Sequence, residues 1–294
     1  MSLATILYNP TMTQPYRPNQ VRAYYDAYGD REWTRFNESV ADRVSLSLHQ
    51  RFQAKWIRRS SLVLETGAGP GRFTIALAEL GATVVVTDIS SVQLRANQAH
   101  VTEAGHADSV EAWRLADVTD LSDFEEGSFS AVSALGGPLS YVFDGADQAA
   151  NELIRVVEPG GLILVSVMSR WGAIHQFLDD IVAAARRGLD ASIGTAAIDG
   201  DLLGEMQKVP GLALPHECHA FTWEELQALF ANKSCRVVDA SASNFLSLRA
   251  DPLLADLSFA EWERLLELEE MACRSSGVIG AGTHILLALE KTGA

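Results

Sequence analysis

Short β-branched runs alternate with helical stretches from residue 62 onward, and this alternation restricts the fold more than any other feature. The strand-like runs are Leu62–Glu65, Thr83–Thr87, Val110–Leu115, Phe129–Leu135 and Leu162–Met168, with helical patterns at Gly71–Leu80, Ser90–Ala104 and Gly145–Val157. Strands that alternate with helices predict a parallel sheet covered on both faces, with right-handed crossovers. The predicted class is therefore α/β, a Rossmann-like, doubly wound sheet.

The alternation stops on both sides of this core, which indicates a cover and an inserted lid. Helical periodicity fills much of Asn19–Ile57, and residues 169–221 show two helical patterns, near Trp171–Arg187 and near Ile198–Gln207, with no strand between them. Thr222 and Glu225 have the spacing of a capping box. The predicted organisation is an N-terminal arm and helical cover at 1–60, an α/β core at 61–168, a helical lid at 169–221, and the rest of the core at 222–294 with a helical insertion near 250–276.

Composition excludes some classes of partner. Lys and Arg total 23 against 38 Asp and Glu, for a formal net charge of −15. Since binding to phosphates needs a cationic face, we expect no nucleic acid partner. No apolar run approaches about 18 residues, so we expect neither export nor membrane insertion. Three widely spaced cysteines give no disulfide framework, and a reducing cytoplasm fits them.

A glycine-rich loop follows the first predicted strand, in the sequence L-V-L-E-T-G-A-G-P-G-R-F-T at 62–74. Gly67, Gly69 and Gly71 would let the backbone approach a ligand beyond the carboxyl ends of the strands. A P-loop requires lysine after its last glycine, and Arg72 stands there instead. A dinucleotide fingerprint requires G-x-G-x-x-G, so the G-x-G-x-G spacing weakens that interpretation without excluding it.

Two acids at later strand ends favour S-adenosylmethionine as the ligand. Asp88 follows the second strand, where a carboxylate can accept hydrogen bonds from both hydroxyls of a ribose, although a nicotinamide cofactor would also use an acid there. Asp117 follows the third strand, where a carboxylate can accept from the adenine amino group while the Val118 N–H reaches a ring nitrogen. The structural alternative for both acids is helix N-capping.

Together these motifs resemble those of the class I S-adenosylmethionine-dependent methyltransferases, over most of 62–168 and the end of the chain. In that family the loop that corresponds to Glu65–Gly71 holds the methionine moiety, and aspartate is more usual than Glu65. The segment 129–141 is similar to the fourth-strand motif, whose Leu135 and Gly136 would line the methyl-transfer end. The segment 152–166 is similar to the family's helix, P-G-G turn and fifth strand. The resemblance implies seven strands, with Thr283–Leu289 antiparallel, and S-adenosyl-L-homocysteine as product.

The N-terminal segment adds aromatic side chains that would fold over the cleft. We include Tyr25 and Trp33 as cofactor contacts; the alternative is that they only pack a helix onto the domain. The expected cofactor-binding residues are Glu65, Gly67, Ala68, Gly69, Gly71, Asp88, Ile89, Asp117, Val118, Leu135, Gly136, Tyr25 and Trp33.

Methyl transfer needs a base only when the nucleophile begins protonated. His219, before the helix that starts at Thr222, is the first candidate, and His175 is the second. The alternative is a hydrogen-bonded histidine at a lid hinge. A metal site at His216, Cys218 and His219 is not expected, because their spacing suits no common zinc pattern.

The sequence thus predicts methyl transfer to a small-molecule acceptor, since a lid suits a ligand that can be enclosed. Two alternatives stay open. One is a nicotinamide-dependent oxidoreductase, and the other is a protein that binds S-adenosylmethionine without catalysis.

Overall fold

The computed structural model describes residues 14–186, 200–202, 217–248, 254 and 256–293. The strands are β1 (Leu62–Thr66), β2 (Thr83–Asp88), β3 (Val110–Leu115), β4 (Phe129–Ala134), β5 (Val157–Met168), β6 (Asp201–Leu202), β7 (Cys218–His219), β8 (Cys235–Ala242) and β9 (His284–Lys291). Seven of them form one sheet in the order β3-β2-β1-β4-β5-β9-β8, while β6 and β7 pair separately.

The first five strands run parallel, and β9 lies antiparallel between β5 and β8. This confirms the predicted fold class and the antiparallel last strand. Successive residues of β1 face opposite layers: Val63 packs into one hydrophobic cluster and Leu64 into the other. Because β1 to β5 run parallel, their carboxyl ends meet at one edge of the sheet, where ligands bind in sheets of this kind.

Helices cover both faces of the sheet. They are α1 (Pro18–Tyr28), α2 (Arg31–Thr34), α3 (Val40–Trp56), α4 (Arg72–Glu79), α5 (Ser91–Glu103), α6 (Ala146–Val156), α7 (Arg170–Gln176), α8 (Leu178–Ala185), α9 (Trp223–Phe230) and α10 (Phe259–Cys273). The capping box at Thr222 and Glu225 is present, and a second one at Ser258 and Glu261 begins α10. In the described part of the chain, no helix is long and apolar enough to cross a membrane.

The N-terminal helical stretch is interrupted. Gly29 ends α1 with φ of 55°, and Ser39 accepts a hydrogen bond from the backbone N–H of Asp42 as the N-cap of α3. Val44, Leu48 and Phe52 form the buried stripe that the four-residue spacing of apolar side chains in this segment indicates.

The predicted absence of a strand in the insertion is wrong. Asp201 and Leu202 pair antiparallel with Cys218 and His219, so the helix predicted near Ile198–Gln207 does not exist at these positions. Across these two strands Asp201 contacts His219, which lies 18 positions later in the chain. A contact between residues so far apart leaves no trace in helical periodicity. Residues 198–199 and 203–207 of that predicted helix, and His216, lie outside the described residues.

Candidate functional site

The loop after β1 has a backbone that only glycine adopts readily. Gly67, Gly69 and Gly71 have φ values of 63°, 54° and 105°. A Cβ on Gly67 would lie 2.5 Å from Cγ of Pro138, so the loop also presses against the segment that follows β4. The glycines thus shape the loop and leave its backbone uncovered.

Side chains behind the loop hold it in place. Thr74 donates a hydrogen bond of 2.6 Å to Glu65, and Asn97 donates to Thr74 and to the carbonyl of Gly69. The second carboxyl oxygen of Glu65 is buried without a partner among the described residues. Burial raises the pKa of Glu65 to about 8, against the opposing hydrogen bond from Thr74. A buried acid with one open oxygen is suited to a ligand that brings a positive charge.

Asp88 lies at the end of β2 and faces the glycine loop. It accepts hydrogen bonds of 2.8 Å from the backbone N–H groups of Gly69 and Ser90. Burial raises the pKa of Asp88 to about 6, although these two bonds lower it. The N-cap of α5 is Ser90, which accepts from Gln93, so the capping alternative for Asp88 is wrong.

Asp117 lies one loop further along the same edge. One oxygen accepts from the backbone and hydroxyl of Thr119, and the other accepts a 2.8 Å hydrogen bond from the hydroxyl of Tyr16. Burial and the neighbouring carboxylate raise the pKa of Tyr16, so this hydroxyl stays protonated. The hydrogen bond from Tyr16 to Asp117 thus connects the N-terminal segment with the loop after β3.

The N-terminal segment covers the cleft with aromatic and charged side chains. Tyr25 packs edge-to-face on Tyr141, with ring centroids 5.6 Å apart. Glu32 and Arg35 form an ion pair at 2.7 Å, and both line the cleft with the two tyrosines. The sequence did not predict Tyr141, Glu32 or Arg35 as site residues. Tyr141 could have been found, because it belongs to the 129–141 motif. The only indication of the Glu32–Arg35 ion pair in the sequence is the three-residue spacing of its members.

These elements enclose a cleft with about 800 Å³ of atom-free space, part of it open to solvent. The expected cofactor-binding residues that line it are Gly67, Ala68, Gly69, Asp88, Ile89, Asp117, Val118, Leu135, Gly136 and Tyr25. The three others do not line it: Glu65 is buried, and a Cβ on Gly71 would lie 3.3 Å from Asn97. Trp33 is not among the lining residues; its ring stacks on His100 at 3.8 Å and under the guanidinium of Arg72 at 3.7 Å.

The predicted catalytic histidines do not reach the cleft. His219 is 1% exposed and its Nδ1 lies 2.7 Å from Asp201, in a buried group completed by the Arg170–Glu225 ion pair. Burial lowers the pKa of His219, but the hydrogen bond to Asp201 and the carboxylate of Glu225, 3.7 Å from Nε2, outweigh this and raise it. His175 lies on α7 and is not among the cleft's lining residues. Neither position gives a geometric basis for proton transfer at the cleft.

Comparisons with known proteins agree with this fold. Residues 63–161 match the family model described as a methyltransferase domain. The ubiquinone biosynthesis O-methyltransferase of Paracidovorax citrulli is 33% identical over 108 residues, which cover 37% of this chain and 44% of that protein. The chain therefore spans less than half the length of this curated relative.

Two solved structures share the fold over most of their length. The magnesium protoporphyrin IX methyltransferase of Synechocystis PCC 6803 has a TM-score of 0.57 at 13% identity, covering 94% of this chain and 99% of that one. The cyclase SpnF has a TM-score of 0.60 at 14% identity, covering 95% and 98%.

Sheet order, glycine loop and strand-end acids together define the class I methyltransferase fold. The match of residues 63–161 to the methyltransferase domain model confirms the resemblance drawn from the sequence, and S-adenosylmethionine is the cofactor that this resemblance implies. Within the described residues, no group of three or more His, Cys, Asp or Glu side chains is arranged to hold a metal ion.

Proposed function

We propose that this chain transfers the methyl group of S-adenosylmethionine to a small-molecule acceptor. The observation that carries the proposal is the convergence, in one cleft, of bare backbone at Gly67 and Gly69 with the carboxylates of Asp88 and Asp117. A nucleoside with an amino acid tail needs hydrogen-bond acceptors for its hydroxyls and amino group. It also needs a protein backbone that can approach it closely where no side chain intervenes. The name of the ubiquinone biosynthesis relative supports an acceptor of low molecular weight.

The residues present fit this cofactor. Glu65 and Thr66 each keep a buried side-chain oxygen without a partner among the described residues, so polar ligand groups can be accepted behind the glycine loop. We assign the methionine end to the Glu65–Gly71 loop, the ribose to Asp88, and the adenine to Asp117. When bound, the cofactor supplies an activated methyl group on a sulfonium.

The chain's own contribution is to align the reactants and exclude water. The segment that contains Tyr16, Tyr25 and Arg35 closes one side of the cleft. Holding donor and acceptor in near-attack geometry can supply on the order of 7–11 kcal/mol of the barrier reduction. We propose that the cover at 1–60 and the insertion at 169–221 serve this enclosure.

Titration calorimetry on a matched pair of variants tests the donor site. Asp88→Ala removes the carboxylate that faces the cleft, and we expect it to abolish binding of S-adenosylmethionine without unfolding the chain. Asp120→Ala removes an exposed acid whose side chain, among the described residues, accepts from Ser122, and we expect unchanged affinity. Wild-type affinity in Asp88→Ala would refute the site assignment.

Two further measurements separate the alternatives. Binding of NADH in place of S-adenosylmethionine would favour an oxidoreductase. Binding of S-adenosylmethionine without methyl transfer to any acceptor would favour a non-catalytic protein, and SpnF, a cyclase with the same fold, shows why transfer has to be measured directly.

A further inference from the structure

Residues 14–37, which we call the N-terminal strap, lie against the cleft with little support from the hydrophobic core. The strap lines one side of the cleft from Tyr16 to Phe36. All of its residues are described, and Phe36 alone among them is buried. The helices α1 and α2 contain no buried residue. A segment with few buried apolar contacts opens locally at a low cost in free energy. Polar contacts therefore decide how much of the time the strap is closed.

Two of these polar contacts reach turns that belong to the proposed cofactor site. Arg72, next to Gly71 of the glycine loop, donates a 2.7 Å hydrogen bond to the carbonyl of Trp33 in the strap. The hydroxyl of Ser90, in the turn after β2, donates a 2.6 Å hydrogen bond to the carboxylate of Asp26. The strap thus lies along the loop assigned to the methionine end and along the turn assigned to the ribose.

The third contact lies at the end of the cleft assigned to the adenine. The hydroxyl of Tyr16 donates to one oxygen of Asp117, while the other oxygen already accepts two hydrogen bonds from Thr119. A carboxylate oxygen can accept two hydrogen bonds, so the oxygen bonded to Tyr16 keeps one position for an adenine amino group. The backbone N–H of Tyr16 also donates to Asp144, but at an exposed position where water competes for the same groups.

The Tyr16 contact lies at the opposite end of the strap from its attachment to the core. The strap joins the core at Phe36, which is 4% exposed and precedes α3. Gly29 separates α1 from α2 with φ of 55°, and no heavy atom would lie within 4 Å of a Cβ there. The chain around Gly29 therefore has room to bend. A movement of α1 about this point separates Tyr16 from Asp117 and leaves the core contact of Phe36 intact.

Resting on the cofactor site proposed above, we infer that the strap closes over the whole length of the bound cofactor and that the Tyr16–Asp117 hydrogen bond latches it. Exchange of the cofactor requires that this hydrogen bond breaks and that α1 moves away from the sheet edge. The latch forms in the empty and in the loaded protein alike, because Asp117 can accept from Tyr16 and from a ligand together. Tyr16 is thus a positioning residue that sets the rate of cofactor exchange and leaves the affinity nearly unchanged.

The size of the effect follows from the population of the open form. Binding and release both pass through this form, so a change in its population alters both rate constants by the same factor. The hydrogen bond from Tyr16 ends on a charged carboxylate, and bonds of this kind are stronger than those between neutral groups. Its loss should raise the open population by about 10-fold or more.

Amide hydrogen exchange of the empty protein tests the latch without any ligand. An isolated helix as short as the 11 residues of α1 is marginal in water, so α1 should exchange its amide protons whenever the strap opens. Tyr16→Phe removes only the hydroxyl and should make exchange in α1 about 10-fold faster. The matched control is Tyr28→Phe, because the ring of Tyr28 stacks on Tyr24 and its hydroxyl has no hydrogen-bond partner among the described residues. This control should match the wild type.

Stopped-flow fluorescence with S-adenosylhomocysteine tests the link between the latch and cofactor exchange. We expect Tyr16→Phe to raise kon and koff together by about 10-fold, with Kd by calorimetry within about threefold of the wild type. If Tyr16 acted only as a ligand contact, koff would rise while kon stayed constant, and Kd would increase in proportion. Tyr28→Phe should leave both rate constants at the wild-type values.

Exchange in α1 that is equally slow in the wild type and in Tyr16→Phe would overturn the inference. A rise in koff alone, or rate constants that do not change, would overturn it as well. If the wild-type protein does not bind S-adenosylhomocysteine at all, the proposed function fails instead, and the assignment of Asp117 to the adenine fails with it. The exchange measurement on the empty protein distinguishes the two cases.

Discussion

Donor binding should release a proton from Glu65. The side chain is 2% exposed, one of its oxygens has no partner among the described residues, and burial raises its pKa to about 8. At pH 7 the empty protein therefore holds this carboxyl protonated. The α-ammonium of S-adenosylmethionine, bound at the Glu65–Gly71 loop, would favour the ionised carboxylate.

The size of the release follows from the pKa. A group with pKa of about 8 is about 0.9 protonated at pH 7 and about 0.1 protonated at pH 9. Asp88, with pKa of about 6, adds at most about 0.1 proton at pH 7. Glu65 should thus release close to one proton on binding at pH 7 and almost none at pH 9.

Calorimetry in buffers of different ionisation enthalpy measures this number directly. At pH 7 the observed binding heats in phosphate and Tris should differ by nearly the full difference between the ionisation enthalpies of the two buffers. Glu65→Gln, a neutral side chain of the same shape that can still accept from Thr74, should remove most of that difference. S-adenosylhomocysteine carries the same ammonium and should release the same number of protons. Equal heats in both buffers at pH 7 would refute the assigned role of Glu65.

Two further predictions concern stability. Arg170→Met leaves the buried carboxylate of Glu225 without its cation and should lower the free energy of unfolding by about 3–5 kcal/mol in urea titrations. Arg264→Ala, on an exposed ion pair at 3.7 Å, should change it by less than about 0.5 kcal/mol, and equal losses would contradict this account. The second concerns pH. The pKa of Glu65 is raised on folding, so its contribution to the free energy of unfolding is present below about pH 4.5 and is lost as pH rises through about 8. The pKa of His49 is lowered to about 4, so its contribution is present above about 6.5 and is lost as pH falls through about 4. Urea midpoints should therefore fall between pH 5.5 and pH 8, and Glu65→Gln should reduce this fall.

The sheet was predictable because its signals are local. Each strand of the core is a short apolar run, and the turn after it contains residues whose conformation follows from their own chemistry, as at Gly67 and Gly69. The strand-end acids Asp88 and Asp117 could be placed on one edge because parallel strands align their carboxyl ends. The direction of β9 came only from the family resemblance.

Long-range contacts explain what the sequence did not predict. His219 stands close in sequence to a helix start, yet its ring faces Asp201 across a two-residue ribbon that no periodicity indicates. Trp33 was expected at the cleft because it is aromatic, but a better partner for its ring is the guanidinium of Arg72.

The most direct test of the central claim is a crystal structure of the protein grown with S-adenosylhomocysteine. We predict the adenine beside Asp117, the ribose hydroxyls on Asp88, and the amino acid end along the backbone of Gly67 and Gly69. Density for the ligand at another place, or a cleft that stays empty at saturating ligand, would contradict the account.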